Sequence, residues 1–280
     1  MIEGRDGRPM AMLYTRQTEL SGNVVPGSIP SPGEIERFEI AANVAYHGGA
    51  VQPTAKIYLV FWGTQWNGAG DPGGVRALLV RFVRGLGASS WLKTVTQYTQ
   101  SDGRHASDAS GMYAGSWIDE SSIPDLNASD YQPAIAAEAS RASAHFGDTT
   151  VNANYVIAVP HGVAVHGFAG NYGGVDAYCA WHSDTASSIA YTALPYIPDA
   201  GGDCGAGFVN SPGTDDGVSI IGGHEAAETE TDPHFDAWYD RENNEIADKC
   251  AWKGLDGERF STGTFPTQPL WSNAAAACVQ

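Results

Sequence analysis

The stretch His224-Glu225-Ala226-Ala227-Glu228 is the part of this sequence best suited to chemistry. It lies within Val-Ser-Ile-Ile-Gly-Gly-His-Glu-Ala-Ala-Glu-Thr-Glu, residues 218 to 230. Asp215 or Asp216 can cap the start of a helix and Pro233 marks its end, so the segment is predicted helical. Residues four apart on a helix stand one above the other. His224 and Glu228 then point the same way, as two ligands must to grip one metal ion. Glu225 sits one step round, close enough to reach a water on that ion. This is the logic of the His-Glu-x-x-His zinc helix, with glutamate in place of the second histidine. The carboxylate adds negative charge and makes zinc a weaker Lewis acid than two imidazoles would. The competing reading is a solvated run of surface charge.

A third ligand must come from elsewhere. Asp248 and Glu245 lie downstream, and His182 would give a His, His, Glu set with a better charge balance for a zinc hydrolase. Asp232 is two turns on from His224, but its place before Pro233 draws it off the helix. His161, His166 and His234 follow Pro- or Gly-rich loops and read as structural. The expected centre is Zn2+ held by His224, Glu228 and either Asp248 or His182. Calcium also accepts carboxylates, but the imidazole argues against it. In such a centre zinc would polarise a scissile carbonyl, and Glu225 would take a proton from the attacking water and return it to the leaving amine. His182, His161 or Tyr239 could stabilise the oxyanion.

Strands and helices in alternation would carry these residues. Residues 56 to 62, Lys-Ile-Tyr-Leu-Val-Phe-Trp, form a continuous apolar run of the kind found in strands buried on both faces. Val75, Leu78, Leu79, Phe82, Val83 and Leu86 fall at helical spacing. Residues 91 to 98 predict a second short helix. Residues 130 to 146 predict an Ala-rich helix ending at Gly147. Asn154 to Val159, stopped by Pro160, reads as another buried strand, with two more over 175 to 181 and 189 to 196. The pattern predicts an α/β fold: a single domain with a mixed β-sheet flanked by helices and a zincin-like active-site helix. Met1 to Arg5 reads as a Met followed by a factor Xa-type cleavage sequence, an expression tag. Residues 6 to 42 are polar and broken by Pro26, Pro30, Pro32 and Gly33, as in an arm or pro-segment remnant. Residues 43 to 280 make up the globular domain.

The chain has 280 residues, enough for one large core. It carries 15 Lys plus Arg against 32 Asp plus Glu, a formal charge of −17. Such a surface repels phosphate backbones and anionic lipid, so neither nucleic acid nor membrane is an expected partner. No apolar run approaches the length of a bilayer span. The four cysteines, Cys179, Cys204, Cys250 and Cys278, include no Cys-x-x-Cys pair. An even count with an acidic surface fits an oxidising, extracellular setting. Three connectivities are open. Pairing of neighbours closes the shortest loops and is expected; four buried thiols are the alternative.

From Tyr46 to Cys278 the chain resembles the exordium family, also called phosphate-induced proteins, and its bacterial relatives. Tyr46-His47-Gly48-Gly49 and then Ile57-Tyr58-Leu59-Val60-Phe61-Trp62-Gly63 resemble the family's opening, as does Trp91-Leu92-Lys93-Thr94-Val95-Thr96-Gln97-Tyr98. Cys179-Ala180-Trp181-His182-Ser183, Ala190-Tyr191 and Cys204 are similar to its middle block. Gly223-His224-Glu225-Ala226-Ala227-Glu228, Asp232-Pro233, Ala237-Trp238-Tyr239 and Glu245-Ile246-Ala247-Asp248-Lys249-Cys250 match most strongly. Trp271-Ser272-Asn273 resembles the family's C-terminal end. The resemblance implies an extracellular or wall-associated protein. The further step, to a secreted, monomeric zinc endopeptidase acting on peptides or proteins, rests on the motif. The rival function is a non-catalytic extracellular binder of cell-wall carbohydrate, using exposed members of the eight tryptophans and twelve tyrosines.

Overall fold

Lys56–Trp62 is buried at every position after the lysine, which only a strand covered on both faces can achieve. In the computed structural model, which describes residues 2–3, 9–15, 43–169 and 177–280, it is an interior strand of a seven-stranded mixed sheet. In chain order the strands are β1 (Ile2–Glu3), β2 (Pro9–Tyr14), β3 (Ala45–Tyr46), β4 (Lys56–Trp62), β5 (Tyr113–Asp119), β6 (Ala153–Ala158), β7 (Tyr178–Asp184) and β8 (Ala190–Leu194). The spatial order of the large sheet is β1-β2-β7-β8-β6-β4-β5. Strands β5, β4, β6 and β8 run parallel, and β7, β2 and β1 join by antiparallel pairing.

Among the described residues three α-helices cover the sheet: α1 (Val75–Leu86), α2 (Gln132–Phe146) and α3 (Asp216–Thr231). Alternation along the strands separates them. Ile57, Leu59, Val156 and Thr192 meet Leu79 and Phe82 of α1 and Ala226 of α3. On the opposite face, Tyr58 and Tyr155 pack against Phe146 of α2, with ring centroids 4.6 Å and 6.3 Å away. The remaining short strands, β9 (Trp238–Tyr239), β10 (Asp256–Phe260), β11 (Gly263–Thr267), β12 (Leu270–Ser272) and β13 (Ala277–Val279), form the pairs β3-β9, β10-β11 and β12-β13. The β10-β11 hairpin lies along α3, where Ser219 Oγ donates to Pro266 O at 2.6 Å.

The α/β architecture with a mixed sheet is the one expected. The segment over 91 to 98 is a 3-10 helix, Leu92–Gln97, rather than an α-helix. The strand expected over 175 to 181 runs as β7, three residues further on, and residues 170–176 lie outside the described residues. Helix α3 starts two residues earlier than expected. Asp215 occupies the cap position without a side-chain cap bond, while Asp216 accepts from the backbone N–H of Val209 and Asn210. The largest departure is N-terminal: β2 falls within the stretch assigned to a polar arm, and β1 within the assigned tag. Residues 16–42 lie outside the described residues. Pro-Met-Ala-Met-Leu-Tyr has little intrinsic strand preference; its pairing with β7 decides its conformation.

Candidate metal centre

Helix α3 is buried at every position except Gly222, so its acidic residues are not a solvated charge run. Burial requires close approach by its neighbours, and glycines permit it. A Cβ on Gly217 would fall 1.8 Å from Cys204 O, and one on Gly223 would press on Trp91 and Phe82. The helix is thus set between the sheet, the β10-β11 hairpin and the loop held by the Cys179–Cys204 disulfide.

His224 and Glu228 stand on one face of α3 as the spacing requires, with Nε2 3.1 Å from Oε2. Asp248 Oδ1 approaches the same Nε2 at 3.5 Å. Two donors each about 2.1 Å from one zinc at the tetrahedral angle stand about 3.4 Å apart. The separations found are close to that, and one donor atom from each of the three residues lies within 4.8 Å of the others. Both carboxylates are divided between backbone and centre. Glu228 Oε1 accepts from the Asp248 backbone N–H at 2.9 Å, and Asp248 Oδ2 accepts from that of Glu245 at 3.1 Å. Glu228 Oε2 and His224 Nε2 are left with no hydrogen-bond partner although buried. Together with Asp248 Oδ1, these two orphaned atoms make a set of one nitrogen and two oxygens that suits a divalent metal.

The loop carrying Asp248 is pinned on several sides. Cys250 bonds to Cys278. Gln268 Nε2 donates to Ala247 O at 2.8 Å, and Lys249 Nζ pairs with the buried Asp240 at 3.0 Å.

His182 enters from β7. Its Nδ1 lies 3.1 Å from Glu225 Oε2 and 3.7 Å from Glu228 Oε2, its Nε2 lies 3.4 Å from Glu245 Oε2, and its ring stacks on Phe235 with centroids 4.9 Å apart. A second group of donors, His182, Glu225 and Glu228, is thereby formed, sharing Glu228 with the first. The five residues predicted for the site, His182, His224, Glu225, Glu228 and Asp248, all meet in one cluster. Of the two contenders for third place, Asp248 faces His224 and His182 faces Glu225.

Burial governs the charges. It pushes His182 down to about 3, so this imidazole is neutral. It pushes Glu225, Glu228 and Glu245 up, the first and last well above the ordinary carboxylate range. Burial would also depress His224, but Glu228 and Asp248 outweigh it and hold the imidazolium well above its usual range. Among the described residues no Lys or Arg pairs with any of these acids. A cluster so rich in buried carboxylate and poor in cations is balanced by a metal ion or by protons.

The other histidines have local partners. His161 pairs with Asp199 at 2.5 Å and His234 with Asp184 at 3.2 Å. Tyr239 stacks on His47 at 3.7 Å. Neither His161 nor Tyr239 is part of the donor cluster. Phe235, which supports the His182 ring, carried no sequence signal; its φ of 60° marks a backbone set by its surroundings. Six of the eight tryptophans, Trp62, Trp66, Trp91, Trp181, Trp252 and Trp271, are buried. Trp117 and Trp238 are half-buried, the former stacked on His145 and the latter tilted against Tyr46. No row of exposed tryptophans remains to grip a sugar chain.

Fold and site together define an α/β domain with a buried imidazole–carboxylate cluster formed by one helix, a sheet strand and a loop. The chain is 28% identical over 263 residues to Protein EXORDIUM-like 5 of Arabidopsis thaliana, an alignment covering 79% of this chain and 68% of the relative. This likeness supports the exordium resemblance of the sequence blocks. No family model matches the chain. No solved structure matches it either. Both disulfides are formed between neighbours, Cys179–Cys204 and Cys250–Cys278, and no cysteine is free. No helix of the described residues is long and apolar enough to cross a membrane.

Proposed function

We propose that this chain is a secreted, zinc-dependent metalloendopeptidase of zincin-like design within the exordium group, cleaving peptide or protein substrates outside the cell. One observation carries the reading: His224 Nε2, Glu228 Oε2 and Asp248 Oδ1 converge at 3.1 and 3.5 Å, and among the described residues no Lys or Arg pairs with them. These three residues would hold the ion. Zinc, when bound, supplies Lewis acidity that polarises a scissile carbonyl. Glu225, one residue along the helix, accepts the proton of the attacking water and passes it to the leaving nitrogen. His182, 3.1 Å from Glu225 Oε2, fixes the direction of that carboxyl. Two disulfides and the −17 charge fit an oxidising, extracellular setting.

Elemental analysis of the purified protein, before and after a chelator, with hydrolysis of an unfolded protein substrate in parallel, tests the proposal. Stoichiometric zinc with chelator-sensitive cleavage is expected. Protein that takes up no zinc, or cleavage that survives Glu225→Gln, would overturn it.

A further inference from the structure

The donor cluster is closed. His182, His224, Glu225 and Glu228 are each at most 1% exposed, and Asp248 alone reaches solvent. A substrate needs an approach, and strand β7, which carries His182, has its outer edge covered by β2. The pairing is antiparallel, with Met10 opposite Ser183, Ala11 opposite His182, Met12 opposite Trp181 and Leu13 opposite Ala180. Residues paired across antiparallel strands share a face. Ala11 and Leu13 therefore lie on the His182 side, toward α3, against which β2 packs. Both are 1% exposed. The strand is also held at its end, where Thr15 N–H donates to Ala177 O at 2.9 Å and Trp252 Nε1 to Tyr14 O at 2.8 Å.

We infer that the β7 edge beside His182 is a binding groove for an extended, apolar peptide, and that residues 10 to 15 occupy it in cis and shut the centre. The inference rests on the proposed peptidase reading and supplies its substrate geometry and its restraint. An exposed strand edge binds extended chains through main-chain hydrogen bonds, with alternate side chains setting specificity. The occupant shows what the groove takes: a small buried side chain opposite His182 and an apolar one two residues on. A tethered segment competes at an effective concentration of order millimolar, so a free peptide of ordinary affinity does not displace it.

The test uses the full chain and a labelled peptide of residues 9 to 15, Pro-Met-Ala-Met-Leu-Tyr-Thr. Ala11→Arg puts a long cation at a buried position and should expel the cis strand. Apparent affinity for a ligand falls with the fraction of protein competent to bind it. The peptide should therefore bind Ala11→Arg about tenfold or more tighter than the unmodified chain. Unrelated heptapeptides with a small third residue and an apolar fifth should compete for the same place. If Ala11→Arg shows no cooperative melt, Trp252→Phe, which removes only the indole donor to Tyr14 O, should give a several-fold gain instead. Equal affinity in the variants and the unmodified chain would overturn the inference. So would binding of the native segment that no unrelated extended peptide competes with, because a purely structural strand is complemented by its own sequence alone. Tight competitive binding without hydrolysis would keep the groove and remove the peptidase. Equal hydrolysis by both proteins with equal peptide affinity would keep the peptidase and remove the cis block.

Discussion

The backbone N–H of Asp248 donates to Glu228 Oε1 at 2.9 Å while the Asp248 side chain faces His224 Nε2 at 3.5 Å. One residue of a distant loop thus orients Glu228 on the helix and turns its own carboxylate toward His224. Supporting bonds of this kind hold metal ligands in place, and losing one costs about 10- to 100-fold in affinity.

Asp248→Asn keeps the backbone donor and removes the charge facing His224. Zinc affinity should fall by about 10- to 100-fold or more. His182→Ala should leave zinc near stoichiometric, since His182 faces Glu225 rather than His224. Metal titrations of the two variants decide it. The reverse result moves the third ligand to His182.

Ligand and base separate within the motif. Glu225→Gln keeps the size of the side chain and removes the proton acceptor, so zinc content should persist while hydrolysis falls by about 100-fold or more. His224→Ala and Glu228→Ala should each lose the metal. Loss of zinc from Glu225→Gln as complete as from His224→Ala would make Glu225 a ligand, a role the His182, Glu225, Glu228 group permits by geometry.

The helix, the shared face of His224 and Glu228 and the buried strands were legible because period and residue type report them locally. Helix α3, buried at all positions but Gly222, has no solvent-facing polar side, but the four-residue spacing of His224 and Glu228 survives any environment. Strand β5, Tyr-Ala-Gly-Ser-Trp-Ile-Asp, was not legible, for it lies at a sheet edge, mostly half-exposed, and carries a glycine. Strand β2 was missed for another reason: its conformation comes from β7, more than 160 residues away in sequence. The choice between Asp248 and His182 also needed three dimensions, because a loop and a strand on different sides of the helix contribute them. The C-terminal hairpins β10-β11 and β12-β13 gave only short, mixed patterns.

The Cys250–Cys278 bond closes a segment of 28 residues two positions after Asp248. On the chain-entropy account its loss should cost about 3 to 4 kcal/mol. Cys278→Ala with Cys250→Ala should lower the urea midpoint accordingly and weaken zinc binding as well. The pair Cys179→Ala with Cys204→Ala should lower stability with a smaller effect on zinc, because Cys179 lies on β7 away from the Asp248 loop. Zinc affinity unchanged by loss of Cys250–Cys278 would show that the hydrogen bonds of the loop suffice to hold Asp248.

Asp148, between α2 and β6, offers a pH test remote from the metal centre. Its Oδ2 accepts from Lys56 Nζ at 3.0 Å and Tyr58 Oη at 2.9 Å, and its Oδ1 from Thr150 N–H at 3.0 Å and Thr150 Oγ1 at 2.7 Å. Burial alone would raise its pKa, but these donors prevail and hold it at about 2, below the usual 3.8. The folded state therefore favours the ionised form. That stabilisation is complete above the unfolded value and disappears as pH falls from about 4 through about 2. At about 1.4 kcal/mol per unit it amounts to at most about 2.5 kcal/mol. Asp148→Asn should therefore destabilise the protein at pH 7 by about 1 to 2 kcal/mol. The gap between the two proteins should narrow as pH is lowered through this window. Urea melts of both at pH 7, 4, 3 and 2.5 measure that gap directly; other carboxylates titrate alike in each and cancel in the difference. A gap that stays constant to the lowest pH would mean that the lost interaction is one of shape and neutral hydrogen bonding, with no contribution from the charge.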